Sequence, residues 1–284
     1  MKRRGMIYFL LLAAVLCLTL VFKSFLDGLA AAGSLSDSAV ESDQFRKQEI
    51  SAESFAKIRE FAEEQGEDLW EVMSVFMAAG RFSLEDPGEI KTENYQRYRS
   101  ALKRWRPGAF SAVQKAYRAV WSDVECMPVR DAGRGLTEIS FEDGWMDARG
   151  EKAERSHEGT DIFCREEDKE TQAASGVYPV VSMTDGYVEK VGWLTLGGNR
   201  IGIRSDSGGY FYYAHLSDYA RDFQIGERVR AGELLGFMGD TGYGPQGTSG
   251  RFPVHLHLGI YFDTEEGKEI SVNPYPLLRV LDIT

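Results

Sequence analysis

The chain has 284 residues, of which 43% are apolar and 12% are aromatic. This content is enough for one sizeable core and a small second unit, so the composition excludes a disordered protein. The formal net charge is -11, and the acidic excess lies in residues 127–284, which contain 16 Lys and Arg against 26 Asp and Glu. Because an acidic surface is repelled by phosphate polymers, we expect no nucleic-acid partner.

Residues 1–32 are predicted to be a membrane-targeting segment. Three basic residues precede an uncharged run of eighteen residues, Gly5–Phe22, and Lys23 follows it. The run is at the lower limit for a bilayer span and exceeds the roughly 7 to 15 residues of a signal-peptide core. The basic excess before the run predicts a single-pass protein of the cell membrane whose C-terminal part lies outside.

A cleavable signal peptide is the alternative. The segment Ala30-Ala31-Ala32 offers a small-residue cleavage site, but it ends ten residues beyond Phe22. Signal peptidase sites normally follow the apolar core closely, so the sequence favours a retained anchor over secretion after cleavage.

The next part of the chain is predicted to be a linker followed by helices. Residues 33–47 are rich in Ser, Asp and Glu, which is typical of a solvated linker. Residues 48–125 form a small helical region, because apolar residues recur there at three- and four-residue spacing. The four helices are expected at 51–65, 67–79, 92–105 and 109–122. The third contains a basic and aromatic cluster that is either a solvated helix face or a surface for an anionic partner: Tyr95, Arg97, Tyr98, Arg99, Lys103, Arg104, Trp105 and Arg106.

Residues 126–284 consist of short β-rich runs separated by glycine, which indicates an all-β domain. Strands are expected at 177–181, 186–191, 200–204, 210–214, 234–238 and 254–262. The whole chain is therefore predicted to be a multidomain α+β protein with an N-terminal transmembrane helix, a helical region and a C-terminal all-β domain. An exported compartment permits a disulfide between Cys126 and Cys164, and two free thiols are the alternative.

All four histidines lie in this β-rich part of the chain, at positions 157, 215, 255 and 257. His255 and His257 occupy alternate positions of a strand pattern, so both imidazoles face one side. His157 and Asp161 are separated by glycine and threonine among other residues, which disfavour a helix and predict a loop leading into a strand. A catalytic zinc takes three nitrogen or oxygen ligands and keeps one position for water. One carboxylate and two of the four imidazoles would satisfy it, and the other two imidazoles would be left for proton transfer.

The order of these motifs resembles peptidase family M23, the lysostaphin-like or LytM-type domains. The motifs are His157–Asp161 (HEGTD), Tyr213–Leu216 (YAHL), the Gly-rich run Gly226–Gly242, and His255–His257 (HLH). The resemblance covers about residues 136–276. It implies a lysostaphin-like antiparallel sheet domain and a zinc metalloendopeptidase that hydrolyses peptide cross-links or stem peptides of bacterial peptidoglycan.

The resemblance also implies a role for each motif residue. His157, Asp161 and His257 would bind one Zn²⁺ ion, and His215 and His255 would stand beside the metal-bound water and the scissile carbonyl. Zinc lowers the pKa of bound water and polarises a carbonyl, and an imidazole can move the proton. Which of His215 and His255 is the general base stays open.

Two further positions are considered for substrate binding. The segment Thr241–Arg251 is rich in small residues, which suit a cleft wall, and it contains the candidates Tyr243 and Thr248. Glu158 follows His157 as in the helical H-E-x-x-H proteases, but off a helix that geometry does not make it a base.

Two alternatives to a peptidoglycan hydrolase come from other classes. The chain could be a noncatalytic, membrane-anchored scaffold or activator of other cell-wall enzymes, with residues 48–125 as the surface for a wall-enzyme partner. It could also be a general protein-degrading metalloprotease, which would digest casein. Absence of zinc together with tight binding to another wall protein would favour the scaffold.

Overall fold

The computed structural model describes residues 2–130, 137–149, 155–166 and 174–282. The helices in these ranges are α1 Lys2–Gly33, α2 Asp43–Lys47, α3 Ala52–Gln65, α4 Leu69–Ala79, α5 Tyr95–Trp105, α6 Pro107–Trp121 and α7 Tyr275–Leu281. The strands are β1 Glu49–Ile50, β2 Ser83–Leu84, β3 Thr137–Phe141, β4 Ala148–Arg149, β5 Arg155–Ser156, β6 Thr160–Glu166, β7 Pro179–Val181, β8 Gly186–Leu194, β9 Gly198–Ser205, β10 Tyr210–Leu216, β11 Asp218–Tyr219, β12 Arg228–Val229, β13 Leu234–Phe237, β14 Leu256–Asp263 and β15 Glu269–Val272.

The four helices predicted between residues 48 and 125 are present as α3 to α6. Their starts follow capping chemistry: the Ser51 hydroxyl accepts from the Ser54 amide before α3, and the Asp68 carboxylate accepts from the Glu71 amide before α4. A side chain of this kind satisfies an amide that has no partner in the first turn. Residues 92–94 form a 3-10 turn, so α5 begins three residues later than predicted.

A large antiparallel sheet forms the centre of the C-terminal part. Among the described residues its strand order is β12-β8-β9-β10-β14-β6-β3, and β15 also pairs with β14. All six predicted strands overlap observed ones, and β6 is the strand that was expected to follow the loop at His157. Strands β3, β12 and β15 of this sheet were not predicted. A second small sheet, β11-β13-β7, lies beside it.

The two faces of the large sheet have different coverings. On β14, Leu258, Ile260 and Phe262 are buried on one face, and the intervening His257, Gly259 and Tyr261 belong to the other. The helices cover the first face, where α6 packs on β14 and α2 packs on β15. The opposite face is left to form a cleft.

The interpretation of residues 33–47 as a solvated linker was wrong. Leu35, Val40 and Phe45 are buried, and the Phe45 ring lies 5.2 Å from Phe82, 5.2 Å from Tyr117 and 6.1 Å from Phe262 between ring centroids. These few apolar side chains close the junction between helices and sheet. The average composition of residues 33–47 is polar and does not reveal these side chains, because burial depends on individual positions.

Three of the four basic residues of α5 pair with acidic side chains of the chain. Arg99 and Lys103 both contact the Glu71 carboxylate of α4, and Arg97 Nη1 lies 3.2 Å from Asp27 Oδ2 of α1. The helix therefore presents much of its positive charge to acidic neighbours, which favours the helix-face interpretation over a surface for an anionic partner.

Helix α1 is continuous from the apolar run to the folded part. Gly5–Gly33 is long and apolar enough to cross a membrane, and its most apolar window is exposed. The last turns pack on α5, where a Cβ at Gly28 would lie 3.3 Å from the Ala101 Cβ. Ala31 and Ala32 are buried.

Both cysteines of the C-terminal part have free thiols. Cys126 is half-buried and Cys164 is buried in β6. Burial raises the pKa of the Cys164 thiol to about 12, which leaves it protonated and unreactive. Of the two alternatives, the free thiols are the ones observed.

Candidate metal centre and cleft

Three side-chain atoms converge where β6 and β14 pair. Asp161 and His257 are register partners in this pair, and His157 lies three residues before β6. Asp161 Oδ1 is 3.0 Å from His157 Nε2 and 3.0 Å from His257 Nδ1, and the two nitrogens are 3.1 Å apart. The structure therefore brings together the three residues that the sequence predicted as metal ligands.

The His157 ring is held by the loop 143–147. Its Nδ1 donates to the Gly144 carbonyl at 3.0 Å, so Nε2 has a lone pair. Backbone bonds fix the loop against this residue: the His157 amide donates to Asp147 at 2.9 Å and the Met146 amide donates to His157 at 2.8 Å. An outer contact of this kind sets which imidazole nitrogen is available to a metal.

The donor set fits zinc. His157 Nε2 lies 3.0 Å from a carboxylate oxygen of Asp161 and 3.1 Å from His257 Nδ1, so three atoms that can each donate an electron pair to a metal converge at one point. Ligands bound to tetrahedral zinc at roughly 2.0 to 2.1 Å are about 3.3 Å apart, close to what is seen here. Two imidazoles and one carboxylate also form a three-ligand set that leaves a position open, as catalytic zinc requires.

Asp161 is ionised in this site. Burial would raise the pKa of its carboxyl, but the neighbouring imidazoles of His157 and His257 hold the pKa well below its usual range. A carboxylate must be deprotonated to bind a metal, so Asp161 is ready to do so.

His215 reaches the cleft through a β-bulge. The β9–β10 register shifts between Tyr213 and Leu216, and the φ of His215 is 64°. Regular alternation would turn this side chain to the covered face, whereas the extra residue turns it to the cleft. A positive φ is unfavourable for a residue with a Cβ, and such strain concentrates at functional positions.

His255 stands next to His215 with the same tautomer. The Nδ1 atoms donate to the carbonyls of Pro253 and Thr241, each at 2.8 Å, so both Nε2 atoms have lone pairs. His255 Nε2 is 3.6 Å from Asp161 Oδ1, and the two rings are 4.8 Å apart. Burial lowers the pKa of His215 to about 3 and also lowers that of His255, so both rings are neutral.

Aromatic rings laid over glycines form the floor of the cleft, whose volume is about 1150 Å³. A Cβ at Gly202 would lie 2.0 Å from the Tyr210 hydroxyl, and one at Gly259 would lie 2.7 Å from the Tyr261 ring. Only glycine allows so close an approach. Tyr212 completes the floor, and its ring centroid lies 6.0 Å from that of His257. Burial raises the pKa of Tyr212 to about 12, which keeps its hydroxyl protonated.

The two candidates for substrate binding lie in different places. Tyr243 lines the cleft, and its ring stacks at 6.0 Å from His215. Thr248 is not among the described lining residues, and its hydroxyl donates to the Pro245 carbonyl at 2.7 Å within the loop. The structure therefore gives Thr248 a place in the turn rather than in the cleft.

Glu158 lines the cleft but is held by α2, which precedes the helical region. Its Oε1 is 2.9 Å from Arg46 Nη2 of α2, and the same nitrogen donates to the Ser271 hydroxyl at 2.6 Å. The segment 33–47, which contains α2, thus contacts the residue next to His157.

Sequence reasoning missed several residues of the cleft, namely Phe163, Lys190, Arg200, Tyr210, Tyr212 and Tyr261. A signal was available for part of this set. Tyr210 and Tyr212 alternate with buried positions on the strand that leads to His215, and Tyr261 does so after His257, so strand periodicity places them on the face of the motif histidines.

Three comparisons place these features among known proteins. A family model described as Peptidase family M23 matches residues 155–274. The L-Ala–D-Glu endopeptidase of Bacillus subtilis is 46% identical over 143 residues, which cover 50% of this chain and 40% of that protein. Lysostaphin of Staphylococcus simulans is 37% identical over 103 residues, or 36% of this chain and 19% of that protein. The match thus spans less than half the length of these curated relatives.

A solved structure extends the similarity to the helical region. It is a crystal structure of a Ruminococcus gnavus protein provisionally described as the glycyl-glycine endopeptidase lytM. The sequences are 40% identical, the match covers 86% of this chain and 92% of that one, and the TM-score is 0.68.

Proposed function

Because this chain belongs to peptidase family M23, we propose that it is a zinc-dependent metalloendopeptidase that hydrolyses peptide bonds of bacterial peptidoglycan. The observation that supports this most directly is the convergence of His157 Nε2, Asp161 Oδ1 and His257 Nδ1 within 3.1 Å of one another. The matched relatives are named as endopeptidases, which agrees with this chemistry.

His157, Asp161 and His257 would hold the zinc ion. When bound, zinc supplies a Lewis acid for a carbonyl and lowers the pKa of water. His215 and His255 then transfer the protons: a neutral imidazole accepts a proton from the attacking water at Nε2 and returns it to the leaving amine. We assign this transfer to the pair, because both rings have the same tautomer and lie 4.8 Å apart.

Hydrolysis is expected to depend on the metal. Purified full-length protein in detergent, incubated with purified peptidoglycan, should release new amino termini, lose this activity after treatment with a chelator, and regain it with one equivalent of Zn²⁺. Zinc-replete protein that releases no peptide ends would contradict the proposal. Tight binding of such inactive protein to another wall enzyme would support the noncatalytic scaffold. The presence of all three metal donors does not favour that alternative.

We also propose that α1 stays attached as a membrane anchor and that the cleft lies outside the cell. The Ala30-Ala31-Ala32 segment lies within α1, where Ala31 and Ala32 are 6% and 1% exposed against the folded part. Cleavage there would remove a helix that packs on α5. Washed membranes should therefore contain the intact chain, and mass spectrometry of the recovered protein checks this. Protein in the medium that begins near residue 33 would contradict the anchor.

The bond that is cut needs a separate argument. One relative is named for an L-Ala–D-Glu bond and another for a glycyl-glycine bond. These substrates differ in charge next to the scissile bond, because only the first contains an acidic residue.

A further inference from the structure

A cationic side chain in the cleft has no anionic partner in the part of the chain that the structure describes. Arg200 lies on β9, lines the cleft and is half-buried. Its Nε and Nη1 atoms are buried and have no hydrogen-bond partner among the described residues. A guanidinium remains charged at every accessible pH, and a desolvated charge without a partner is unfavourable. Folding alone gives no reason for this arrangement.

The acidic side chains that line the cleft are engaged elsewhere. Glu158 pairs with Arg46 at 2.9 Å, and Glu269 lies 4.0 Å from Lys190. Asp161 lies in the metal centre at 3.0 Å from two imidazoles. Among the described lining residues, none of these carboxylates lies within ion-pair distance of Arg200, so they do not compensate its charge.

The register of the sheet places Arg200 close to the reacting atoms. Tyr213 pairs with Ile201 and Leu216 with Asn199, so Arg200 lies beside the bulged segment that contains Ala214. Ala214 in turn pairs with His257. Two interstrand steps separate Arg200 from His257, which corresponds to roughly 10 Å between Cα atoms. An extended peptide covers this distance in about three residues. The length of the arginine side chain can bring the guanidinium closer to the metal centre than the Cα distance indicates.

We propose that Arg200 binds the free carboxylate of an acidic residue next to the scissile bond. The substrate class is then a peptidoglycan stem peptide that contains a γ-linked glutamate with a free α-carboxylate, rather than a glycine bridge. This assignment rests on the proposed function. The tyrosines of the floor supply apolar contact, and the guanidinium supplies the charge that distinguishes the acid from its amide.

Binding to two matched peptides tests the assignment. The probes are fluorescently labelled L-Ala-γ-D-Glu-L-Lys and the same peptide with the glutamate α-carboxylate as an amide, titrated onto zinc-loaded full-length protein in detergent. The wild type should bind the acid about 10- to 100-fold more tightly than the amide, as expected for a hydrogen bond to a charged group. Arg200→Met should bind the two peptides equally, and Arg200→Lys should keep part of the preference.

The controls separate charge from structure. Arg228→Met removes an exposed arginine that pairs with Asp206 outside the cleft, so it should keep the full preference. The melting temperature of Arg200→Met should not fall, because no described partner is lost. A lower melting temperature with equal weakening for both peptides would make Arg200 a structural residue and overturn the assignment.

The remaining outcomes distinguish this inference from the proposed function. Equal affinity of the wild type for acid and amide, or a preference that survives Arg200→Met, would overturn the role of Arg200. A preference in binding without cleavage of either peptide would support Arg200 and contradict the peptidase. Cleavage of pentaglycine at a rate that matches the acid peptide would contradict the substrate class alone.

Discussion

Replacing His257 with Ala is expected to remove the bound zinc and to reduce peptide hydrolysis to the level of a blank. The substitution deletes one of three donor atoms, which lie 3.0 to 3.1 Å apart and lack a fourth protein donor in the described cluster. Loss of an outer partner alone costs roughly 10- to 100-fold in metal affinity, so loss of a ligand should cost at least as much. Zinc content after dialysis and the release of amino termini from peptidoglycan measure the two effects.

Glu158→Gln is the matched control for this experiment. The residue follows His157 and lines the same cleft, but its carboxylate pairs with Arg46 and is not one of the three donors. We expect full zinc content and activity within about threefold of the wild type, whereas loss of a general base costs roughly 10²- to 10⁴-fold. Unchanged zinc and activity in His257→Ala would contradict the assigned metal centre.

Replacing Phe45 with Ala is expected to lower the free energy of unfolding by about 3 to 5 kcal/mol. The side chain is 0% exposed, and its ring contacts Phe82 and Tyr117 of the helical region and Phe262 of the sheet. The resulting cavity would lie where these parts meet, so the surroundings cannot close it by moving one loop. Denaturant unfolding of the full chain in detergent, followed by tryptophan fluorescence, measures the change.

Ile225→Ala controls for the removal of an apolar side chain from the surface. Ile225 is 71% exposed, so its replacement should change the free energy of unfolding by less than about 0.5 kcal/mol. A similarly small effect for Phe45→Ala would mean that residues 33–47 do not stabilise the junction. It would then restore the interpretation of this segment as a spacer.

The elements and the motif residues could be predicted because their signals are local. Apolar spacing of three and four residues indicated the helices. The alternation of His255, just before β14, and His257, within it, placed both rings toward Asp161. The loop before β6 was also expected from the glycine and threonine between His157 and Asp161. In each case neighbours within a few residues determine the backbone conformation.

Other features depended on contacts between distant residues. Phe45 is one apolar side chain in a polar stretch, and its burial against Phe262 follows from the way the helices cover the sheet. The missed strands β3 and β15 form at either side of β6 and β14, so they depend on partners far along the chain. Strand formation reflects packing against such partners more than intrinsic preference.

By itself, the sequence determined the family of the chain, the positions of most helices and strands, and the residues from which a zinc site can be assembled. Only the tertiary structure decided that a bulge turns His215 into the cleft, that the Gly144 carbonyl sets the tautomer of His157, and that Arg200 lies unpaired among the described residues near His257. The physical reason is that orientation, protonation and charge compensation of a side chain depend on groups brought close by folding, at separations in sequence that no local pattern records.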